Sequence, residues 1–170
     1  MTYLHEDRTI WVTGAASGIG KAAAEEILSE GGCVVGSDLP AADFSWAEGV
    51  DNMRCVTGSV SDVAHNALAV ETAVSEFGHL DGAVLNAGMA GRIDLFDGDM
   101  EFFDEVMDVN VRAVILGIRA CASAMRPGSA ITVTASTSGM RGDPGMWVYN
   151  TSKAAVINLV RSTSMDLAAK

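Results

Sequence analysis

Tyr149 and Lys153 stand four residues apart in Tyr149-Asn150-Thr151-Ser152-Lys153. On a helix that spacing puts both on one face, with Cβ atoms about 5–6 Å apart. A free phenol ionises near about 10, too high for a base at neutrality. An ammonium at about 4 Å, with an effective dielectric of about 20, attracts a phenolate by about 4 kcal/mol. Since about 1.4 kcal/mol corresponds to one pH unit, a phenol so placed can exchange a proton near neutral pH. The pair therefore suits general acid–base work at an oxygen, as reduction of a carbonyl or oxidation of an alcohol requires. The hydroxyls nearest upstream are Ser136, Thr137 and Ser138.

A second group of residues suits an anion. Thr13-Gly14-Ala15-Ala16-Ser17-Gly18-Ile19-Gly20 lies between a short apolar run and a helical stripe. Glycines in a strand-to-helix turn let the backbone approach a pyrophosphate, which then meets the free N–H groups and partial positive charge of the helix start. Gly20-Lys21 resembles the end of a P-loop, but the leading glycine would fall at Ala15 and the magnesium-binding hydroxyl at Ala22. That excludes a P-loop. Asp38 follows eighteen positions beyond Gly20, where an acid accepts hydrogen bonds from ribose hydroxyls and repels a 2′-phosphate. These features point to a dinucleotide, and to NAD.

Short apolar runs and helical patterns alternate to position these residues. Strands are expected at Thr9–Thr13, Cys33–Gly36, Met53–Val56, Gly82–Leu85 and Ala130–Thr134. Helical patterns are expected for Ile19–Leu28, with Ile19, Ala23, Ala24, Ile27 and Leu28 as one stripe stopped by Gly31-Gly32, and for Val63–Phe77, Met100–Met125 and Trp147–Leu167. The stretch from Asp38 to Met53 is short for a crossover helix, so a reduced or irregular one is expected. Strands apolar on both faces, alternating with helices, predict an α/β fold: a doubly wound parallel sheet in three layers.

Composition narrows the function classes. The 170 residues are 49% hydrophobic with 18 glycines, which suits one folded domain over residues 1–170. A net charge of −11 opposes nucleic-acid binding, which needs clustered Lys and Arg. Acidity is densest from Asp94 to Asp108 and reads as a solvated helix start in preference to an acidic docking surface. Cys33, Cys55 and Cys121 are widely spaced, and His5, His65 and His79 have no metal-ligand spacing. A reduced, metal-free, cytoplasmic protein is expected. No apolar stretch reaches membrane-spanning length, and Met1–Trp11 has no signal-peptide core.

The glycine spacing after Thr13 resembles the short-chain dehydrogenase/reductase family, with its Rossmann-type fold. Asn86-Ala87-Gly88, Asn110, Ser136 and Tyr149 to Lys153 fit the same family in the same order over nearly the whole chain. The resemblance implies an NAD-dependent oxidoreductase acting on a secondary alcohol or ketone. Tyr149 would be its acid/base, and Lys153 would assist it and bond the nicotinamide ribose. The interval of thirteen residues to Tyr149 assigns Ser136 to the substrate oxygen, with Thr137 and Ser138 close by. Asn110 would open its helix slightly and hold a water that relays protons to Lys153.

For the cofactor, the resemblance implies Gly14, Ser17, Gly18, Ile19, Gly20, Asp38, Asn86, Ala87 and Gly88. Ser17 occupies the place where NADP-using members often carry a base. Ser59 stands before Val60 where members often have an Asp contacting adenine, so that contact is expected to weaken or to pass to Asp62 or backbone. Ser138, Met146 and Trp147, with Met89 and Met140 nearby, would border the substrate, although Met89, Met140, Met146 and Trp147 suit packing in the core or at a subunit contact equally well. Members continue into two more strands and a lid, whereas the sequence ends at Lys170. The fold is thus expected without its last strands, and the protein is expected to continue further. The alternative is a non-enzymatic nucleotide-binding or scaffold module. Members pair through two helices, so a homodimer or homotetramer is expected, using Val111, Val114, Ile118, Val156, Leu159 and Val160.

Overall fold

The computed structural model describes residues 4–168. Five strands form one parallel sheet: β1 Thr9–Thr13, β2 Cys33–Asp38, β3 Met53–Thr57, β4 Gly82–Leu85 and β5 Ala130–Val133. Their order is β3-β2-β1-β4-β5. The chain winds outward from β1 to one edge, then crosses back to β4. The order therefore reverses between β1 and β4, where such sheets open a crevice at the strands' carboxyl ends. Val12 pairs with Gly36 on one side and Val84 on the other, which aligns the strand ends that frame it.

The connecting helices are α1 Gly18–Ser29, α2 Val63–Phe77, α3 Met100–Met107, α4 Ala113–Ala122 and α5 Trp147–Leu167. α2 starts where Asp62 accepts a hydrogen bond from Ala64 N–H and stops at Gly78, which takes φ 86. Gly31 at φ 83 likewise ends α1. Between β2 and β3 only a single 3-10 turn, Ser45–Ala47, replaces a helix.

Residues on β1 alternate between the two sheet faces. Trp11 packs with Val35, Leu85, Val114, Ile118 and Val156 on one face. Ile10 and Val12 pack with Ala24, Ile27, Val34 and Met53 on the other. Both faces are covered, giving three layers. β5 is an edge strand, with Ala130 and Thr132 exposed.

Three expectations are corrected. Ile19 is 68% exposed, because it sits in the first turn of α1, beyond the sheet it was expected to cover. The helical pattern Met100–Met125 is not continuous: a π-helical turn, Asp108–Arg112, separates α3 from α4, which ends at Ala122. Val114, Ile118 and Val156 are buried in the chain's own core, so they are not free to form a subunit contact.

Candidate active site

The site grows from the end of β1. Gly14 has φ 68 and Gly18 φ 55, values that favour glycine. The N–H groups of Gly14 and Ala15 both donate to Ser37 O, at 2.8 and 3.2 Å, which folds the turn against β2. A Cβ at Gly20 would lie 2.0 Å from Gly14 O, so only glycine fits. Gly18 has nothing within 4 Å of such a Cβ, and the turn is open on that side. Ser17, at the N-cap of α1, makes no side-chain cap hydrogen bond, and no acid stands in the first turn. The helix thus presents unsatisfied N–H groups and a partial positive charge. This cradle fits a pyrophosphate.

Asp38, at the end of β2, faces the same turn. Its Oδ2 accepts from Ala16 N–H at 3.0 Å and its Oδ1 from Leu39 N–H at 2.8 Å. Each oxygen keeps a lone pair for a further donor. In the loop after β3, Ser59 is exposed and Val60 half-buried. Val60 O accepts from the buried Asn66 amide at 2.7 Å, whereas a carboxylate oxygen of Asp62 is taken by the α2 cap.

Asn86 ties three strand ends together. Thr13 Oγ1 accepts from the N–H groups of Asn86 and Ala87, both at 2.9 Å. Asn86 Nδ2 donates to Thr13 O at 3.2 Å, and Thr134 Oγ1 donates to Asn86 Oδ1 at 3.1 Å. A Cβ on Gly88 would sit 3.1 Å from Asn110 Oδ1 and 3.5 Å from Lys153 Nζ, so the chain passes close to both.

Asn110 is fully buried inside the π-helical turn. Its Oδ1 accepts from Met89 N–H at 2.8 Å, and its Nδ2 donates to Met89 O and to Ser152 Oγ, each at 2.9 Å. Ser152 Oγ in turn donates to Tyr149 O at 2.8 Å. Asn110 therefore joins the segment after β4 to α5 beside the Tyr149–Lys153 face. Lys153 is 5% exposed. Its Nζ donates to Thr134 O at 2.7 Å and lies 5.8 Å from the centre of the Tyr149 ring. Burial pushes the amine below its ordinary value, and no carboxylate among the described residues pairs with it.

Ser136 follows β5 in extended backbone and opens a 3-10 turn, Thr137–Gly139, its Oγ accepting from Ser138 N–H at 3.1 Å. A Cβ at Gly139 would lie 2.7 Å from the backbone carbon of Lys153. Glycine there lets the Ser136 turn rest directly on α5. Ser138 Oγ donates to Asp143 Oδ2 at 3.3 Å. Met146, at the N-cap of α5, is half-buried. Trp147 stacks on Phe103 at 6.0 Å, in a small cluster with Ile93, Val106 and Val148, and its indole N–H is buried without a partner.

The structure thus gathers Asn86, Gly88, Asn110, Ser136, Tyr149 and Lys153 around the carboxyl ends of β4 and β5, beside the glycine turn. Thr13, Thr134 and Ser152 complete their hydrogen bonding, and sequence reasoning missed all three. Thr13 ends β1 and Thr134 follows β5, on either side of β4, and neither carries a signal in the sequence beyond its own identity. An apolar groove of about 280 Å³, lined by residues including Ile118, Met125, Ile131, Val160 and Leu167, contains none of the gathered residues. No group of three or more His, Cys, Asp or Glu among the described residues is placed to hold a metal ion. No described helix is long and apolar enough to cross a membrane.

Comparison with known proteins agrees with this geometry. Residues 8–170 match the family model described as short chain dehydrogenase. The chain is 36% identical to 2-(R)-hydroxypropyl-CoM dehydrogenase of Xanthobacter autotrophicus, over 95% of its own length and 69% of that protein's. It is 33% identical to 2-dehydro-3-deoxy-L-rhamnonate dehydrogenase (NAD(+)) of a Sphingomonas species, covering 94% of this chain and 66% of that protein. The chain therefore spans about two thirds of the length of such relatives. A short chain dehydrogenase from Burkholderia cenocepacia, solved in complex with NADP, superposes with a TM-score of 0.90 at 30% identity, over 96% of this chain and 70% of that one. A short-chain dehydrogenase/reductase from Brucella melitensis gives 0.91 at 26% identity, over 99% and 73%. The chain belongs to the short-chain dehydrogenase/reductase family of oxidoreductases.

Proposed function

We propose that this chain carries the dinucleotide site and acid–base group of an NAD-dependent dehydrogenase that interconverts a secondary alcohol and a ketone. The observation that supports this best is the buried Lys153 ammonium, held by Thr134 O and 5.8 Å from the Tyr149 ring. An amine with no carboxylate to neutralise it stabilises negative charge on its neighbours. When bound, the nicotinamide supplies the hydride acceptor or donor. Tyr149 takes the hydroxyl proton in oxidation and returns it to the carbonyl oxygen in reduction. Ser136 holds that oxygen with its hydroxyl and stabilises the charge that develops there. Lys153, with one proton given to Thr134 O, keeps two donors for the phenolic side and a ribose. Asn110 keeps Lys153 and the segment after Asn86 in register, and its π-turn is the place for the proton-relaying water.

Gly14, Ser17, Gly18, Ile19 and Gly20 hold the pyrophosphate, while Asn86, Ala87 and Gly88 border the nicotinamide ribose. Ser59 and Val60 border the adenine. Ser138, Met146 and Trp147 stand on the segments flanking the reacting pair and form the substrate side. Asp38 selects NAD, because its carboxylate accepts ribose hydroxyls and repels a 2′-phosphate. We place the protein in the cytoplasm as a homodimer or homotetramer. The test of cofactor choice is turnover with NAD against NADP. The reading expects NAD to be preferred at least tenfold, and Asp38→Ala to reduce that ratio. A wild-type preference for NADP contradicts it.

A further inference from the structure

Ser136 and Tyr149, thirteen positions apart, are the two ends of the proposed reacting pair. Between them the chain leaves the Ser136 turn, loops outward through exposed Met140, Arg141 and Gly142, and returns to start α5. Nothing in the fold's element order fixes how far that loop opens. Hydrogen bonds do, and one side chain inside the loop links it to the Ser136 turn. Asp143 is half-buried, and its Oδ2 accepts from Ser138 Oγ at 3.3 Å, closing the loop onto the Ser136 turn. Its backbone closes the other end. With the Asn150 amide oriented so that both of its ends are satisfied, Asn150 Oδ1 accepts from Asp143 N–H at 2.8 Å and Nδ2 donates to Met146 O at 3.3 Å. Met146 N–H donates to Asp143 O at 3.1 Å. Asn150 is the residue after Tyr149, and Ser138 N–H donates to Ser136 Oγ.

Asp143 is therefore one hydrogen bond from each neighbour of the reacting groups. The outward face of the loop is held separately, by Arg92 Nη1 donating to Pro144 O at 3.1 Å and Ile93 N–H to Gly145 O at 2.9 Å. The contact with the exposed Arg141, at 3.7 Å, adds little. We infer that Asp143 is a positioning residue: by stapling Ser138 to the start of α5, it sets the placement of the Ser136 hydroxyl relative to the Tyr149 phenol. The inference rests on the proposed roles of Ser136 and Tyr149. What Asp143 uses is an acceptor oxygen rather than its charge, so asparagine can serve in its place.

The test has two arms on the full chain. In amide hydrogen exchange, without substrate, Asp143→Ala and Ser138→Ala should each speed exchange over residues 137–146 at least tenfold. The double variant should be no faster than either, and Asp143→Asn should keep protection within about threefold. In turnover with NAD and a panel of 2-butanol, cyclohexanol and 1-phenylethanol, Asp143→Ala should lower kcat about tenfold. The KM for NAD should stay within twofold, and Asp143→Asn should restore kcat. Unchanged exchange in Asp143→Ala, multiplicative effects in the double variant, or an Asp143→Asn as impaired as Asp143→Ala would overturn the staple. A Tyr149→Phe variant as active as wild type, or a wild type that oxidises none of the panel, counts against the activity reading instead, and exchange then decides the staple alone.

Discussion

At the scale of single residues, Lys153 is a buried amine with no carboxylate partner among the described residues. It is 5% exposed, and burial disfavours its charged form. Its folded-state pKa lies below the ordinary 10.5, so the unfolded chain binds more protons than the folded one between those two values. The burial penalty is present at neutral pH and is relieved as pH rises through the folded value towards 10.5. Lys153→Met should therefore lose turnover and yet melt no lower than wild type at pH 7. The melting difference, variant minus wild type, should fall by about 2 °C by pH 10, the change that roughly 1 kcal/mol brings in a chain of this size. Thermal scans at pH 7 and pH 10 measure it. A difference that grows with pH would show that burial is not the dominant influence on this amine.

At the scale of elements, the site depends on the junction between the π-helical turn and α5. Ser152 is fully buried and receives an N–H of Asn110 while donating to Tyr149 O. Ser152→Ala leaves that buried amide proton without a partner, a cost of about 1–3 kcal/mol. Denaturant unfolding should show it, and exchange of the Asn110 side-chain protons should accelerate. A stability loss below about 0.5 kcal/mol would mean that the junction relaxes around the gap.

The same junction marks where the sequence stops being legible. Helix α2 could be read to the residue, because Asp62 caps it and Gly78 ends it locally. Likewise α5 runs from Trp147 to Leu167 as its pattern indicates, and the crossover after Asp38 was visibly too short for a helix. The π-turn could not be read from periodicity, since Asn110 is satisfied by Met89, twenty-one residues away. Apolar positions on α4 and α5 were equally ambiguous. Val114, Ile118 and Val156 look alike whether they face their own sheet or a second subunit, and only the packing assigns them to the core. At the site, residue types and spacing were legible, whereas the hydroxyls of Thr13, Thr134 and Ser152 that orient them were not. Such hydroxyls carry no pattern beyond their own identity.

At the scale of the whole molecule, the proposed catalytic groups lie at the carboxyl ends of the strands, and a separate ionic clasp closes the opposite ends. Asp81 is 7% exposed just before β4. Its Oδ2 accepts from Thr9 N–H at 2.9 Å and faces His79 at 3.0 Å, and its Oδ1 pairs with Arg126 just before β5. Burial pushes the carboxyl up, but the Thr9 N–H, the Arg126 guanidinium and His79 together outweigh it and hold the group below 3.8. The clasp therefore stabilises the fold above the ordinary carboxylate range, and that contribution is lost as pH falls through the folded value. Asp81→Asn should cost about 2 kcal/mol at pH 7 and nothing near pH 2. Urea unfolding across that range measures it, and a cost independent of pH would show that the charge is immaterial. Turnover per folded molecule should not change, because the two ends of the sheet do separate work.

The Tyr149 phenol is the proposed acid–base group, and one variant isolates it. Tyr149→Phe removes the oxygen and leaves the ring, α5 and the glycine turn in place. NADH titration by fluorescence should give wild-type affinity, while oxidation of a secondary alcohol that the wild-type protein accepts should fall by about 10²–10⁴-fold, the contribution of a positioned acid–base group. Turnover within threefold of wild type, with NADH bound as before, would contradict the account.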